Sequence, residues 1–157
     1  MRELFASQIV CIVEAPNMTT KTLLTDAPAV APAVTIDTAE DVFLLLAAEA
    51  AGLKESRLWR VDLDRDNRVL GRELIADRGA DTLVIAPRRV FRGAVAAGAA
   101  KVVLVHNHPN QNLERTDQDH ILTDLMAIGG AALGVPLHDH VIITDKTFFS
   151  FRDAGWR

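Results

Sequence analysis

Three of the five histidines of the chain lie in or beside one short polar loop. The segment VVLVHNHPNQNLERTDQDHILTDL, residues 102–125, carries His106 and His108 with one residue between them, and Asp119 follows eleven residues after His108. Imidazole nitrogens and carboxylate oxygens are ligands that zinc accepts. Side chains at i and i+2 of an extended backbone point the same way, so we predict that the two imidazoles converge on one point.

Two elements must position these side chains. KVVLV has the continuous apolar character of a central strand covered on both faces, which puts His106 at the carboxyl end of that strand, where α/β sheets commonly bind ligands. A helix follows the loop, and with Thr116 as its N-cap it carries Asp119 in its first turn. Two nitrogens and one oxygen leave a fourth position free, which is the layout of a catalytic zinc site.

A plainer interpretation stands beside this one. Thr116 and Asp119 also fit a variant of the helix capping box, although Glu or Gln is usual at the last position. The two histidines then become hydrogen-bonded loop residues. The two roles of Thr116 and Asp119 are compatible, because a capping residue can also face the site.

The remaining pattern predicts an α/β (α+β) fold, with a mixed central sheet flanked by helices. Residues 39–52 form a helix capped by Asp37 or Thr38 and ended by Gly52, and residues 88–99 form another that starts after Pro87. The alternation in RLWRVDLD predicts a half-buried strand that pairs with RVLGRELIA in a hairpin. TLVIA, HVIIT and TFFSF are the other strands of this domain.

Residues 1–33 are assigned separately. Residues 3–14 predict a strand, and the Ala/Pro-rich stretch APAVAPAV at residues 27–34 predicts an extended linker. We therefore divide the chain into an N-terminal strand and linker, residues 1–33, and a domain of residues 34–157.

Composition narrows the class of protein. With 49% apolar and 24% charged residues the chain is expected to be soluble and globular. The net charge of −4 argues against nucleic-acid binding. Arg88, Arg89 and Arg92 form one basic patch, which we interpret as the solvated side of a helix. The single cysteine, Cys11, allows no internal disulfide, and there is no signal peptide or membrane span, so we expect a cytoplasmic protein.

The loop resembles the JAMM (MPN-plus) metalloprotease motif, which reads His-x-His, seven residues, Ser, two residues, Asp. The closest resemblance is to the RadC family, because LDRDNRVLGREL, APRRVFRGAVAAGAAKVVLVHNHP and LTDLMAIGGAALGVPLHDHVII are similar to RadC segments in the same order. The resemblance covers roughly residues 34–151. It implies a JAMM/MPN-like (cytidine-deaminase-like) sandwich, in a short form without the helical region that precedes this domain in full-length RadC proteins.

The resemblance also implies roles. His106, His108 and Asp119 match zinc ligands, water is the fourth ligand, and Thr116 stands where the motif has a serine that steadies an oxyanion. The loop departs from the family, with Asn110-Gln111 in place of Ser-Gly.

The resemblance also implies a glutamate that acts as general base. In RadC proteins we look for this glutamate before the strand that ends in Leu-Asp, and counting back from Asp64 gives Ser56 at that position. Glu55 is its neighbour, and a bulge at the entrance of the strand would turn it toward the site. Without such a bulge the chain binds zinc without much hydrolysis. Glu73 is the reserve candidate, with a solvent-facing hairpin residue as its plainer interpretation.

Three further histidines lie outside the metal-ligand motif. His120 projects away from Asp119 on the helix and is predicted to be a surface residue or to support a ligand. His140, in the Asp-His pair that resembles RadC, either orients a ligand or is a satisfied buried residue. His138 is predicted to be peripheral.

Three functions compete. The first is a zinc hydrolase that cleaves peptide or isopeptide bonds. The second is a degenerate zinc-binding domain with an interaction or DNA-repair-associated role, and the third is a nucleic-acid enzyme. A zinc deaminase is disfavoured, because it needs a Pro-Cys-x-x-Cys motif. The sequence names no substrate, and it leaves open whether the chain forms a homodimer.

Overall fold

The computed structural model describes residues 34–77 and 85–156. This part of the chain contains three helices and five strands, with the following bounds: α1 Ala39–Ala50, β1 Leu58–Leu63, β2 Val69–Ala76, α2 Pro87–Ala96, β3 Lys101–Asn107, α3 Asp117–Ala132, β4 Leu137–Ile143 and β5 Phe148–Ser150. The predicted strand at residues 3–14, the linker and most of TLVIA lie outside the described residues. The domain boundary at residue 34 therefore stays a prediction.

The five strands form one mixed sheet in the order β2-β1-β3-β4-β5. Strands β3 and β4 are parallel, and the other neighbouring pairs are antiparallel. The predicted hairpin is confirmed as β1 and β2. The fold class predicted from the sequence is thus confirmed, and β3, which carries the first histidine, is the central strand.

The sheet separates two apolar cores. Val102 and Leu104 of β3 pack with residues of α2 and α3, whereas Val103 and Val105 pack with α1. Successive side chains of a strand point to opposite faces, so the continuous apolar run of β3 fills both cores at once. His106 continues the series of Val102 and Leu104, and its side chain therefore lies on the α2/α3 face.

The predicted half-buried character of β1 is wrong. All six residues of Leu58–Leu63 are buried, including Arg60 and Asp62. Arg60 Nε lies 2.6 Å from Asp62, its Nη2 lies 2.8 Å from Glu73, and it also donates to the backbone carbonyl of Val90 on α2. Charged side chains are tolerated in an interior when each is paired, so an alternating sequence can form a strand that is covered on both faces.

The helix ends follow the signals in the sequence. Thr38 caps α1 and Thr116 caps α3, each with a complete capping box that uses an aspartate, and Pro87 opens α2. The N-cap threonine accepts from a backbone N–H that would otherwise have no partner. None of the helices in the described ranges is long and apolar enough to cross a membrane.

Candidate metal centre

The carboxyl end of β3 brings the two histidines together. His106 is the penultimate residue of β3, and His108 follows the strand, with its backbone N–H donating to the Ile143 carbonyl of β4 at 2.9 Å. The Nε2 atoms of His106 and His108 lie 2.8 Å apart. The predicted convergence of the two imidazoles is present.

Helix α3 supplies the third side chain through its capping box. Asp119 Oδ2 accepts from the Thr116 backbone N–H at 2.7 Å and from the Thr116 hydroxyl at 2.9 Å. The other oxygen, Oδ1, lies 3.1 Å from His106 Nε2. The capping box therefore fixes the carboxylate with Oδ2 held by the start of the helix and Oδ1 turned toward His106.

These three side chains form a group that could hold a metal ion. One nitrogen from each of His106 and His108 and one oxygen from Asp119 all lie within 4.8 Å of one another. His108 Nδ1 lies 2.7 Å from the Asn112 carbonyl oxygen, which can only accept a hydrogen bond. The neutral His108 ring therefore carries its proton on Nδ1 and leaves the Nε2 lone pair free for a cation.

Burial and mutual contact set the charges of the group. Burial lowers the pKa of His106, despite the contact with Asp119. Burial also opposes the charging of His108, but the Asp119 carboxylate and the Asn112 carbonyl outweigh it and raise the pKa of His108. Burial opposes the ionisation of Asp119, but its contacts with the two histidines outweigh burial and hold the pKa of Asp119 well below its usual range. The carboxylate stays ionised, and a proton bound to the group resides on His108.

The group borders an open cavity of about 600 Å³ through His108. The side chains of His106 and Asp119 are only 3% and 5% exposed, whereas that of His108 is 13% exposed and lines the cavity. The other lining residues come from the loop after β3 and the approach to β1: Ser56, Pro109, Asn110, Asn112, Glu114, Arg115, Thr116 and Asp117. A small molecule or an extended chain can therefore reach the ligand group from one side.

Comparison with known proteins identifies the family. The sequence model described as the RadC-like JAB domain matches residues 36–156. The chain belongs to the RadC-like JAB domain family. This result confirms the resemblance drawn from the sequence segments.

Several curated relatives match the same region. A UPF0758 protein of Methanosarcina mazei is 30% identical over 121 residues, which cover 77% of this chain and 53% of the relative. A UPF0758 protein of Methanococcoides burtonii is 33% identical over 121 residues, with the same coverage of each chain. One from Thermotoga maritima is 39% identical over 93 residues, covering 59% of this chain and 42% of the relative. The chain thus spans about half the length of the curated relatives that it matches.

The RadC-like JAB domain does not turn Glu55 into the cavity by the predicted bulge. The pairing of β1 with β2 shifts register at this end, but Leu58 pairs with Ala76 and Trp59 with Leu74, so the extra residue is Ile75 on β2. The side chain of Glu55 is exposed and is absent from the cavity lining, which includes Ser56. The assignment of the Glu55 carboxylate as the general base stays a prediction.

The reserve candidate, Glu73 of β2, has a partner on the neighbouring strand β1. Its carboxylate binds Arg60 at 2.8 Å and is half-exposed. Gly93 of α2 packs against this ion pair, since a Cβ at Gly93 would come within 2.6 Å of both side chains. Glu73 therefore has a structural role beneath α2.

Sequence reasoning left the role of His140 open between two alternatives and missed Thr123, its partner. Thr123 and His140, both fully buried, are hydrogen-bonded to each other at 2.6 Å, and His140 Nε2 lies 2.8 Å from His106 Nδ1. Burial, together with the neighbouring His106, lowers the pKa of His140 well below its usual value. Thr123 follows Asp119 by one turn on the same face of α3, and this spacing was the signal available in the sequence.

Asn107 holds the segment that precedes β1. Its side chain accepts from the Arg57 N–H at 2.7 Å and donates to the Glu55 carbonyl at 3.1 Å, while its own carbonyl accepts from the Ser56 hydroxyl at 3.3 Å. The middle residue of His-x-His thus fixes the backbone next to the cavity. The remaining histidines lie outside the ligand group: His120 is exposed, and His138 contacts Arg152.

Proposed function

We propose that this RadC-like JAB domain binds one zinc ion through His106, His108 and Asp119 and hydrolyses an amide bond, in a peptide or an isopeptide. The observation that carries the proposal is the convergence of two imidazole nitrogens and one carboxylate oxygen beside an open cavity that His108 lines. The similarity of the loop to the JAMM metalloprotease motif supports the choice of an amide as substrate.

The donor set fits zinc. The separations are 2.8 Å between the two nitrogens, 3.1 Å from His106 to Asp119 Oδ1 and 3.7 Å from His108 to Asp119 Oδ2. Ligand atoms around a tetrahedral zinc, with bonds of about 2.1 Å, lie roughly 3.4 Å apart. One nitrogen from each histidine and one oxygen from Asp119, all within 4.8 Å of one another, would hold the ion, and water would be the fourth ligand.

Each residue has a defined task in this proposal. A bound zinc polarises its water and lowers the pKa of that water to about 7. His108 forms the wall between the ligand group and the cavity. Thr116 orients Asp119, and its hydroxyl reaches an oxyanion in the cavity after it leaves Asp119 Oδ2. Glu55, whose backbone carbonyl is held by Asn107, is the base that would take the proton of the attacking water.

A second function is zinc binding without appreciable hydrolysis, as in a degenerate domain that interacts with other macromolecules. It is favoured by one specific observation, which is that Ser56 and not Glu55 lines the cavity. A serine hydroxyl is a poor acceptor for a proton from water at neutral pH. In this alternative the site stabilises the domain or forms part of a binding surface.

Two measurements on the purified chain test the proposal. Elemental analysis should find one zinc per chain, and a library of fluorogenic peptide and isopeptide substrates should reveal cleavage that chelation abolishes and added zinc restores. Zinc binding without cleavage of any substrate would favour the second function. Absence of bound zinc at neutral pH would overturn both.

A further inference from the structure

A chain of hydrogen bonds connects two of the candidate ligands behind the site. His106 Nδ1 lies 2.8 Å from His140 Nε2, and His140 Nδ1 lies 2.6 Å from the Thr123 hydroxyl. That hydroxyl lies 2.6 Å from the backbone carbonyl of Asp119. The chain thus starts on the ring of one ligand and ends on the backbone of another.

The last member of this series, the Asp119 carbonyl, determines which group donates and which accepts in every hydrogen bond of the series. A carbonyl oxygen can only accept, so the Thr123 hydroxyl donates to Asp119. If the Thr123 hydroxyl did not donate to this carbonyl, lone pairs of the two oxygens would face each other at 2.6 Å. With its proton used, the Thr123 oxygen accepts from His140, which places the His140 proton on Nδ1.

The same reasoning carries through to His106. His140 is 0% exposed, and its ring is hydrogen-bonded to His106 and Thr123 and to no carboxylate, so the neutral ring, with a single N–H, is the form that the interior accepts. Its Nε2 then accepts, and His106 must donate from Nδ1. A neutral His106 is left with a lone pair on Nε2, the nitrogen that faces His108 and Asp119.

We propose that His140 and Thr123 are positioning residues, which select the tautomer of His106 that presents the Nε2 lone pair to a metal ion. The role of this tautomer in metal binding rests on the function proposed above. The tautomer itself exists without metal and can be determined in the metal-free protein. Neither residue touches the metal or the substrate, so both act only through His106.

The surroundings hold the chain rigid. The ring of His140 stacks on Phe151, with centroids 5.0 Å apart and planes 7° from parallel. Thr123 and Asp119 lie one turn apart on α3, His106 on β3 and His140 on β4. Movement of α3 relative to the sheet would break these hydrogen bonds. The hydrogen bonds therefore connect the carboxylate ligand, Asp119, to the histidine ligand, His106. Partners that orient a metal-binding histidine usually contribute about 10–100-fold to metal affinity.

Thr123→Val is the decisive variant, with Thr123→Ser as its matched control. Valine has nearly the shape of threonine but no hydroxyl, so His140 Nδ1–H would lose its acceptor. His140 then gains by moving its proton to Nε2, from where it donates to His106 and drives the His106 proton onto the metal-binding nitrogen. Serine keeps the hydroxyl and should behave as the native residue does.

The experiment has two readouts. Long-range proton–nitrogen NMR spectra of the metal-free protein should show His106 protonated on Nδ1 in the native chain and in Thr123→Ser, and a mixture or the other tautomer in Thr123→Val. Zinc titration should show an affinity about 10–100-fold lower for Thr123→Val and close to native for Thr123→Ser. An unchanged His106 tautomer in Thr123→Val, with native zinc affinity, would overturn the proposal.

A double substitution separates positioning from a general structural effect. The side-chain oxygen of His140→Gln can accept from His106 without any help from Thr123. Adding Thr123→Val to this background should therefore lower zinc affinity no further. An additional loss as large as in the native background would show that Thr123 does not act through His140, and would overturn the proposal. If the native chain binds no zinc, the proposed function fails, while the tautomer spectra still decide this inference.

Discussion

His106 Nε2 and His108 Nε2 lie 2.8 Å apart and face the same carboxylate. Two lone pairs at this distance repel each other unless a cation, either a proton or a metal ion, lies between them. The pKa of His108 is raised and that of His106 is lowered, so a proton that binds between them is held by His108. Metal binding is therefore an exchange of one cation for another.

His106→Ala should abolish stoichiometric zinc binding, because the two remaining ligands, His108 and Asp119, hold a divalent ion far more weakly than three ligands do. His120→Ala is the matched control, since His120 is exposed and lies outside the ligand group. Elemental analysis of both purified variants is the measurement. Equal zinc content in the two variants would rule out His106 as a ligand.

The zinc affinity should fall as the pH is lowered, and the fall should begin at a higher pH than an ordinary histidine, with a pKa of about 6.5, would give. The reason is that zinc must displace the proton of His108, whose pKa is raised by Asp119 and Asn112 in spite of its burial. Zinc titrations at a series of pH values measure this slope. An affinity that is constant from neutral pH to well below the ordinary histidine pKa would contradict the exchange.

Thr116→Val should weaken both the helix and the site. It removes the hydroxyl that accepts from the Asp119 N–H at 3.2 Å and donates to Asp119 Oδ2, so the N-cap loses about 1 kcal/mol of unfolding free energy. Asp119 also becomes freer to rotate, which should lower zinc affinity. Thr116→Ser should retain both properties. Urea unfolding and zinc titration of the two variants test this, and native zinc affinity in Thr116→Val would confine Thr116 to its capping role.

Ser56→Glu and Glu55→Gln together decide between the two proposed functions. If Glu55 is the base, Glu55→Gln should lower kcat by about 10²–10⁴ with little change in zinc content. If the base is missing, Glu55→Gln should have no effect, and Ser56→Glu, which places a carboxylate in the cavity lining, should create or increase cleavage. Rates of peptide and isopeptide hydrolysis by both zinc-loaded variants provide the measurement. A fall in kcat for Ser56→Glu alone would fit neither function.

Arg60→Ala should destabilise the domain by about 3–5 kcal/mol, because it leaves the buried carboxylate of Asp62 without its partner. Glu73→Gln should cost only about 0–1 kcal/mol, since Glu73 is half-exposed and can be hydrated. Urea unfolding of the two variants distinguishes these values. Similar losses for both would mean that the Arg60–Glu73 pair, and not Asp62, provides most of the stability.

Local signals carried much of the prediction. The apolar run before His106 predicted the covered central strand, the Thr116-x-x-Asp119 spacing predicted the capping box, and Pro87 predicted the start of α2. Each of these depends on contacts within one element, which sequence spacing fixes. The half-buried β1 was wrong because two partners of Arg60, Glu73 and the Val90 carbonyl, come from β2 and α2, and an alternating pattern carries no information about them.

The sequence by itself determined that two imidazoles and one carboxylate would meet, because a strand end and a helix start place them by their own periodicity. Only the tertiary structure decided what supports them. His140 reaches His106 from 34 residues away because the parallel register sets His140 of β4 beside Leu104 of β3, on the same face as His106. The approach to β1, likewise, turns Ser56 and not Glu55 into the cavity. Register and the orientation of an incoming backbone segment arise from pairing between distant strands, so no local pattern specifies them.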